Sequence, residues 1–164
     1  MPKEQLDASA FSPDMTEFLL LLHKHHVRYL IVGGEAVIYY GYARLTGDMD
    51  IFYDREGENV TRLYAALTEF WQGPAPGIDD AAELLQPDLV VQFGVPPNRL
   101  DLINTIDGVT FEKAWGGRTS VALSGPERAT NINYVGLSEL ISNKRASGRP
   151  KDQDDLLHLG PPTP

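Results

Sequence analysis

The sequence predicts a single mixed α/β domain. Three observations carry that expectation. Short runs rich in branched and aromatic residues, such as Tyr29–Val32 and Asp48–Tyr53, are bounded by glycine and proline and have strand length. Segments 13–26, 58–71 and 137–147 repeat apolar residues at three- and four-residue spacing, as one-sided helices do. The chain has 164 residues, 42% hydrophobic and 23% charged, enough for one sizeable core and short for two.

In chain order, residues 1–12 form a head of mixed polarity, expected as a flexible tail ahead of the domain. Ser12 caps the first helix and Pro13 occupies its first turn, where no N–H is needed. A buried strand over Tyr29–Val32 meets Gly33-Gly34, and a helix restarts at Glu35: strand, tight turn, helix. A second strand covers Asp48–Tyr53, and a helix over 58–71 places Val60, Leu63, Leu67 and Phe70 on one side. Residues 72–77 are a loop. Strands over 89–93 and 99–104 are joined by Val95-Pro96-Pro97-Asn98, which suits a hairpin. A short helix over 111–115, strands over 118–123 and 132–135, and a helix from Leu137 to Ser147 follow. Gly148 and Pro150 separate the last from a helix over 151–159, and the proline-rich residues 160–164 are expected as a second flexible tail.

Composition excludes several function classes. The chain has no cysteine, which removes disulfides, thiolate nucleophiles and thiolate metal sites. Its 14 basic and 23 acidic residues give a net charge of −9, which disfavours a broad nucleic-acid or anionic-lipid surface. The longest apolar run, near Phe18 to Leu22, is far short of the roughly 20 residues of a membrane helix. No basic start precedes it, so a cytoplasmic, membrane-free protein is expected.

The chemistry concentrates around Asp48-Met49-Asp50. Strand side chains alternate between faces, so Asp48 and Asp50 project together and Met49 opposes them. Adjacent like charges raise each other's pKa unless a cation neutralises them. Close anionic oxygens suit Mg²⁺ or Mn²⁺, although a solvated strand edge carries the same pair. Asp101, a lone acid between Leu100 and Leu102, can supply a third carboxylate from a neighbouring strand and complete a two-ion site. Gly33 and Gly34, between strand and helix, have the geometry in which free N–H groups hold phosphate oxygens. Lys144, Arg145, Arg149 and Lys151 concentrate positive charge in an acidic chain, fit either for a triphosphate or for a solvated helix face.

Gly33-Gly34, thirteen residues, Asp48-Met49-Asp50-Ile51 and a later strand acid together resemble the nucleotidyltransferase superfamily typified by DNA polymerase β and the minimal bacterial nucleotidyltransferases. The resemblance is closest to a small stand-alone bacterial branch related to abortive-infection nucleotidyltransferase toxins. Gly41-Tyr42-Ala43-Arg44-Leu45-Thr46-Gly47 ahead of the acids is similar to that branch's first motif. Lys144-Arg145-Ala146-Ser147-Gly148-Arg149-Pro150-Lys151-Asp152 through Leu156 is similar to its closing motif.

The resemblance implies an α/β (α+β) nucleotidyltransferase fold with a mixed central sheet flanked by helices, and transfer of a nucleoside monophosphate from an NTP to an acceptor hydroxyl on RNA, protein or a small molecule. It further implies that Asp48 and Asp50 bind two Mg²⁺ or Mn²⁺ ions, that Asp101 binds the catalytic one and that Gly33 and Gly34 hold the β- and γ-phosphates. Many members have Gly-Ser at the glycine pair. Gly34 offers only backbone here, and Arg44 or Thr46 is placed to compensate. Lys144, its stem crossing the apolar surface of Leu140 and Ile141, is expected to reach an open cleft and contact the nucleotide, with Asp152 and Asp155 fixing the basic tail. The alternative reading is a non-catalytic nucleotide- or partner-binding module of the same fold, such as a toxin–antitoxin component. His23, His25 and His26 read as a solvated basic helix end, and Tyr39, Tyr40 and Tyr42 as packing aromatics rather than base-stacking ones.

Overall fold

A computed structural model of the chain describes residues 2–125 and 129–159. The strands are β1 (Gln5–Asp7), β2 (Tyr29–Val32), β3 (Asp48–Tyr53), β4 (Val90–Phe93), β5 (Arg99–Ile103), β6 (Thr119–Ser124) and β7 (Ala129–Tyr134). The helices are α1 (Pro13–Lys24), α2 (Gly33–Tyr39), α3 (Gly57–Trp71), α4 (Phe111–Gly116), α5 (Leu137–Ser147) and α6 (Pro150–Leu159). One seven-stranded sheet has the order β1-β6-β7-β2-β3-β5-β4. Pairing across it alternates: β1 with β6, β7 with β2 and β3 with β5 are parallel, and the other three neighbours are antiparallel. The expected mixed α/β architecture is what the chain adopts. No helix among the described residues is long and apolar enough to cross a membrane.

Two strands sit at the centre of the core for a sequence reason. All four side chains of Tyr29–Val32 are buried, so β2 is apolar on both faces, as a strand covered on both sides must be. In β3, Met49, Ile51 and Tyr53 fill one face, while Asp48, Asp50 and Phe52 share the other, where Phe52 meets the Phe111 ring of α4 edge-on at 5.2 Å. The apolar stripes of α1 and α3 meet at Phe18 and Phe70, whose rings lie 5.3 Å apart and nearly perpendicular. Ser12 Oγ accepts the Met15 N–H at 3.3 Å and caps α1 as its sequence position predicts.

Three elements differ from the sequence expectation. Residues 5–7 lie in the expected N-terminal tail, yet β1 pairs in parallel with β6 at the sheet edge; its single apolar residue, Leu6, leaves no periodic signal in three positions. The expected C-terminal tail, 160–164, lies outside the described residues. Gly33 and Gly34 form the first turn of α2 rather than a turn before it, because Gly33 adopts φ +64° and bends the chain directly out of β2. A 3₁₀ turn over Ala81–Leu85 fills a stretch with no helical period.

Candidate functional site

Parallel pairing of β3 with β5 brings the three acids together. The register sets Asp50 opposite Asp101 and Asp48 opposite Arg99, so all four side chains rise from one face of two adjacent strands. One carboxylate oxygen from each of Asp48, Asp50 and Asp101 lies within 4.8 Å of the others. Gln92 stands opposite Asp101 on β4, and its Nε2 donates to Asp101 Oδ2 at 3.4 Å.

The charge of the cluster is incompletely balanced. Arg99 Nη2 donates to Asp48 Oδ2 at 2.7 Å and to Asp101 Oδ2 at 3.1 Å, and its Nε donates to Asp101 Oδ1 at 3.0 Å. One guanidinium therefore serves two carboxylates and leaves the third. Asp50 pays for this: burial, reinforced by the charges of Asp48 and Asp101, pushes its carboxyl up to about 7. Three hard oxygen donors converging with a surplus of negative charge are a donor set suited to Mg²⁺ or Mn²⁺ rather than to a soft metal.

The glycine pair lies against this cluster. A Cβ on Gly33 would stand 2.2 Å from Asp50 Oδ2, and one on Gly34 would stand 2.7 Å from Thr46 Oγ1 and 3.1 Å from Arg44 Nη2. Neither position admits a side chain without displacing a site residue. Thr46 Oγ1 donates toward Asp48 Oδ1 at 3.1 Å and lies 3.2 Å from the Asp48 carbonyl. The hydroxyl expected to act on phosphate therefore orients a carboxylate. Arg44 is held by Asp155, with Nε 2.9 Å from Oδ1 and Nη2 donating to Oδ2 at 3.2 Å.

Lys144 requires a correction. It does not reach an open cleft; it is buried, with Nζ 2.9 Å from Asp152 Oδ1 and 3.0 Å from Asp155 Oδ2. The apolar surface of Leu140 and Ile141 carries its stem inward, toward carboxylates that are themselves wholly buried and need a cation. Asp152 and Asp155 do fix the basic segment, and Lys144 is what they fix. Burial opposes ionisation of Asp152, but hydrogen bonds from Arg149 and Lys144 outweigh it and hold its carboxyl below the usual range. Lys144 thus positions Asp155, which positions Arg44, which borders Gly34.

The structure brings together Gly33, Gly34, Arg44, Thr46, Asp48, Asp50 and Asp101, and sets Lys144 behind them. Arg99, Gln92 and Glu35 are additional. Arg99 was legible, two residues before Asp101 and so on the same strand face. Glu35 gave no signal: it sits on the first turn of α2, where burial, the charge of Asp48 and the opposing charge of Arg44 leave its carboxyl at about 7. The tyrosines pack on protein. Tyr39 stacks on Tyr134 at 4.2 Å, Tyr40 donates to the Val135 carbonyl at 2.7 Å, and Tyr42 stacks on His158 at 3.7 Å while donating to Asp154 Oδ2 at 2.8 Å. No protein-family model matches the chain, and no curated protein matches its sequence.

Proposed function

We propose that this protein is a divalent-metal-dependent nucleotidyltransferase with a polymerase β-like nucleotidyltransferase fold, moving a nucleoside monophosphate from an NTP to an acceptor hydroxyl. The observation that supports it is the in-register convergence of Asp48, Asp50 and Asp101 beside a glycine pair that admits no side chain. Asp48, Asp50 and Asp101 would hold Mg²⁺ or Mn²⁺, and the fit rests on their oxygen-only donor set and its surplus of negative charge. When bound, the ions supply charge neutralisation at the phosphates.

The remaining roles belong to the chain. In the transfer, the acceptor oxygen forms a bond to the α-phosphorus, the bond to pyrophosphate breaks, and the acceptor proton passes to a carboxylate oxygen of Asp101. The backbone at Gly33 and Gly34 faces the β- and γ-phosphates, and Arg44, fixed by Asp155, adds a positive charge at the same turn. Thr46 and Arg99 orient Asp48 for the incoming nucleotide. RNA, protein and small-molecule hydroxyls all meet this chemistry, as does a cytoplasmic setting.

The test is incubation of the protein with each labelled NTP, Mg²⁺ and cell extract, followed by fractionation. Label enters one acceptor fraction and pyrophosphate is released, and both disappear in the Asp48→Asn, Asp50→Asn double variant. One observation favours a second reading, a non-catalytic binding module: Arg99 bridges Asp48 and Asp101 and so occupies part of the space between the acids. Nucleotide binding with no pyrophosphate release from any NTP identifies that module.

A further inference from the structure

A groove leaves the acidic cluster and runs along α2. Two cavities of about 300 and 280 Å³ adjoin, sharing Ala10, Phe11 and Glu35. The first reaches Asp48; the second continues to Tyr39 and Tyr134. One wall is α2 and the other is the N-terminal segment around Leu6 and Phe11. The volumes fall at the lower end of small-molecule sites; the cavity toward Tyr39 is lined mainly by apolar and aromatic groups, and the one reaching Asp48 mainly by polar groups.

Glu35 is the polar group common to both cavities. Its carboxyl makes no hydrogen bond or ion pair with any described residue, although it is more than half withdrawn from water and its carboxyl is correspondingly destabilised as an anion. A carboxylate held in this way calls for N–H donors from a ligand. Of the other polar side chains lining the cavities, the Tyr39 hydroxyl donates to the Lys3 carbonyl at 2.7 Å, Ser12 Oγ caps α1, Ser9 Oγ pairs with Asp7, Asp48 is held by Arg99 and Thr46, and Lys3 lines the cavity toward Tyr39. The acceptor common to both cavities and left without a partner among the described residues is Glu35.

We infer that this groove binds the base of the nucleotide and that Glu35 selects guanine. The inference rests on the nucleotidyltransferase reading and names its substrate. Guanine presents two parallel donors, N1–H and the 2-amino group, which a carboxylate accepts as a pair. Adenine and cytosine each present one donor beside a ring nitrogen whose lone pair the carboxylate repels. Uracil presents one donor between two carbonyls. With the triphosphate at the acids, the cavity reaching Asp48 takes the ribose and the cavity beyond Glu35 takes the ring, against Phe11 and Tyr39.

The experiment is equilibrium binding of the α,β-methylene triphosphates of guanosine, adenosine, cytidine and uridine to the full chain with Mg²⁺ at pH 8. The guanosine analogue binds at least about tenfold more tightly than the others, the discrimination of a paired carboxylate contact. In Glu35→Gln that preference falls to about twofold or less, with a thermal midpoint no lower than the wild type's because the carboxyl has no internal partner to lose. Phe11→Ala weakens all four analogues while keeping their order. Equal binding of all four by the wild-type chain, or a guanine preference that survives Glu35→Gln, overturns the groove assignment and leaves the nucleotidyltransferase reading standing. Failure of every analogue to bind overturns both.

Discussion

Two clusters of charge border the same glycine turn and are built on opposite terms. Around Lys144, two wholly buried carboxylates, Asp152 and Asp155, are matched by Lys144, Arg149 and Arg44, so every buried acid oxygen faces a cation. On β3 and β5, three carboxylates share one guanidinium, and Asp50 is left with a carboxyl at about 7. Matched buried charges hold a fold in one arrangement, because removing either partner strands the other in a low dielectric. Unmatched charges reduce stability and persist where a ligand completes them. The contrast separates charges that the protein itself neutralises from charges it leaves for a ligand under the proposed function.

The largest expected effect breaks the matched cluster. Lys144→Met removes the cation shared by Asp152 and Asp155 and destabilises the chain by about 3–5 kcal/mol, read as a fall in the urea midpoint. Asp50→Asn has the opposite sign: above pH 7 it raises the midpoint of the metal-free protein, because it removes a charge that burial and two like neighbours oppose. A loss on Asp50→Asn comparable to that of Lys144→Met makes the two clusters equivalent and ends the distinction.

The pH profile sharpens it. Asp50 has a folded pKa above the ordinary 3.8, so between that value and about 7 the folded chain holds a proton that the unfolded chain releases; its contribution to stability is greatest at low pH and is lost as pH rises through that window. Asp152 has a folded pKa below 3.8, so its contribution is present above 3.8 and is lost as pH falls further. Metal-free stability measured against pH then rises out of the acid range and declines toward neutrality. Asp50→Asn makes the decline shallower, Glu35 supplying the remainder, and leaves the acid limb.

A smaller effect is expected at Arg99. Arg99→Ala leaves all three acids without a cation, lowering the midpoint of the metal-free protein, and Mn²⁺ then binds several-fold more tightly by calorimetry than to the wild-type chain. Weaker Mn²⁺ binding in that variant makes Arg99 a scaffold for the acids rather than a competitor of the ion. The smallest effect is expected at Tyr42→Phe, which removes one exposed hydrogen bond to Asp154 but keeps the stack on His158, and shifts the thermal midpoint barely beyond measurement scatter.

The α/β class was legible in the alternation of strand-length and helix-period segments, and the acids were legible because strand alternation is a rule of period two: Asp48 and Asp50 had to share a face, and Asp101 was the lone acid in an apolar strand. The limits of α5, Leu137 to Ser147, followed from Gly148 just beyond its end, which takes φ +63° and stops the helix. Lys144 was misread because a helix face can be assigned from sequence but its covering cannot. The apolar neighbours that were expected to guide its stem outward also line the interior, and which applies depends on α6 docking over them. β1 escaped notice because a three-residue edge strand takes its stability from the partner strand and leaves little in its own composition. Glu35 was invisible since its significance lies in having no partner, a property of the assembled molecule.

The ion pair between Arg44 and Asp155 joins residues 111 positions apart. During synthesis the sheet residues of β2 and β3 leave the ribosome long before α6 exists, so Arg44 lacks its Asp155 partner while most of the core can already collapse. The glycine turn acquires its positive neighbour only as α6 docks, and a nascent chain arrested before Asp155 lacks the carboxylate that holds Arg44 at that turn.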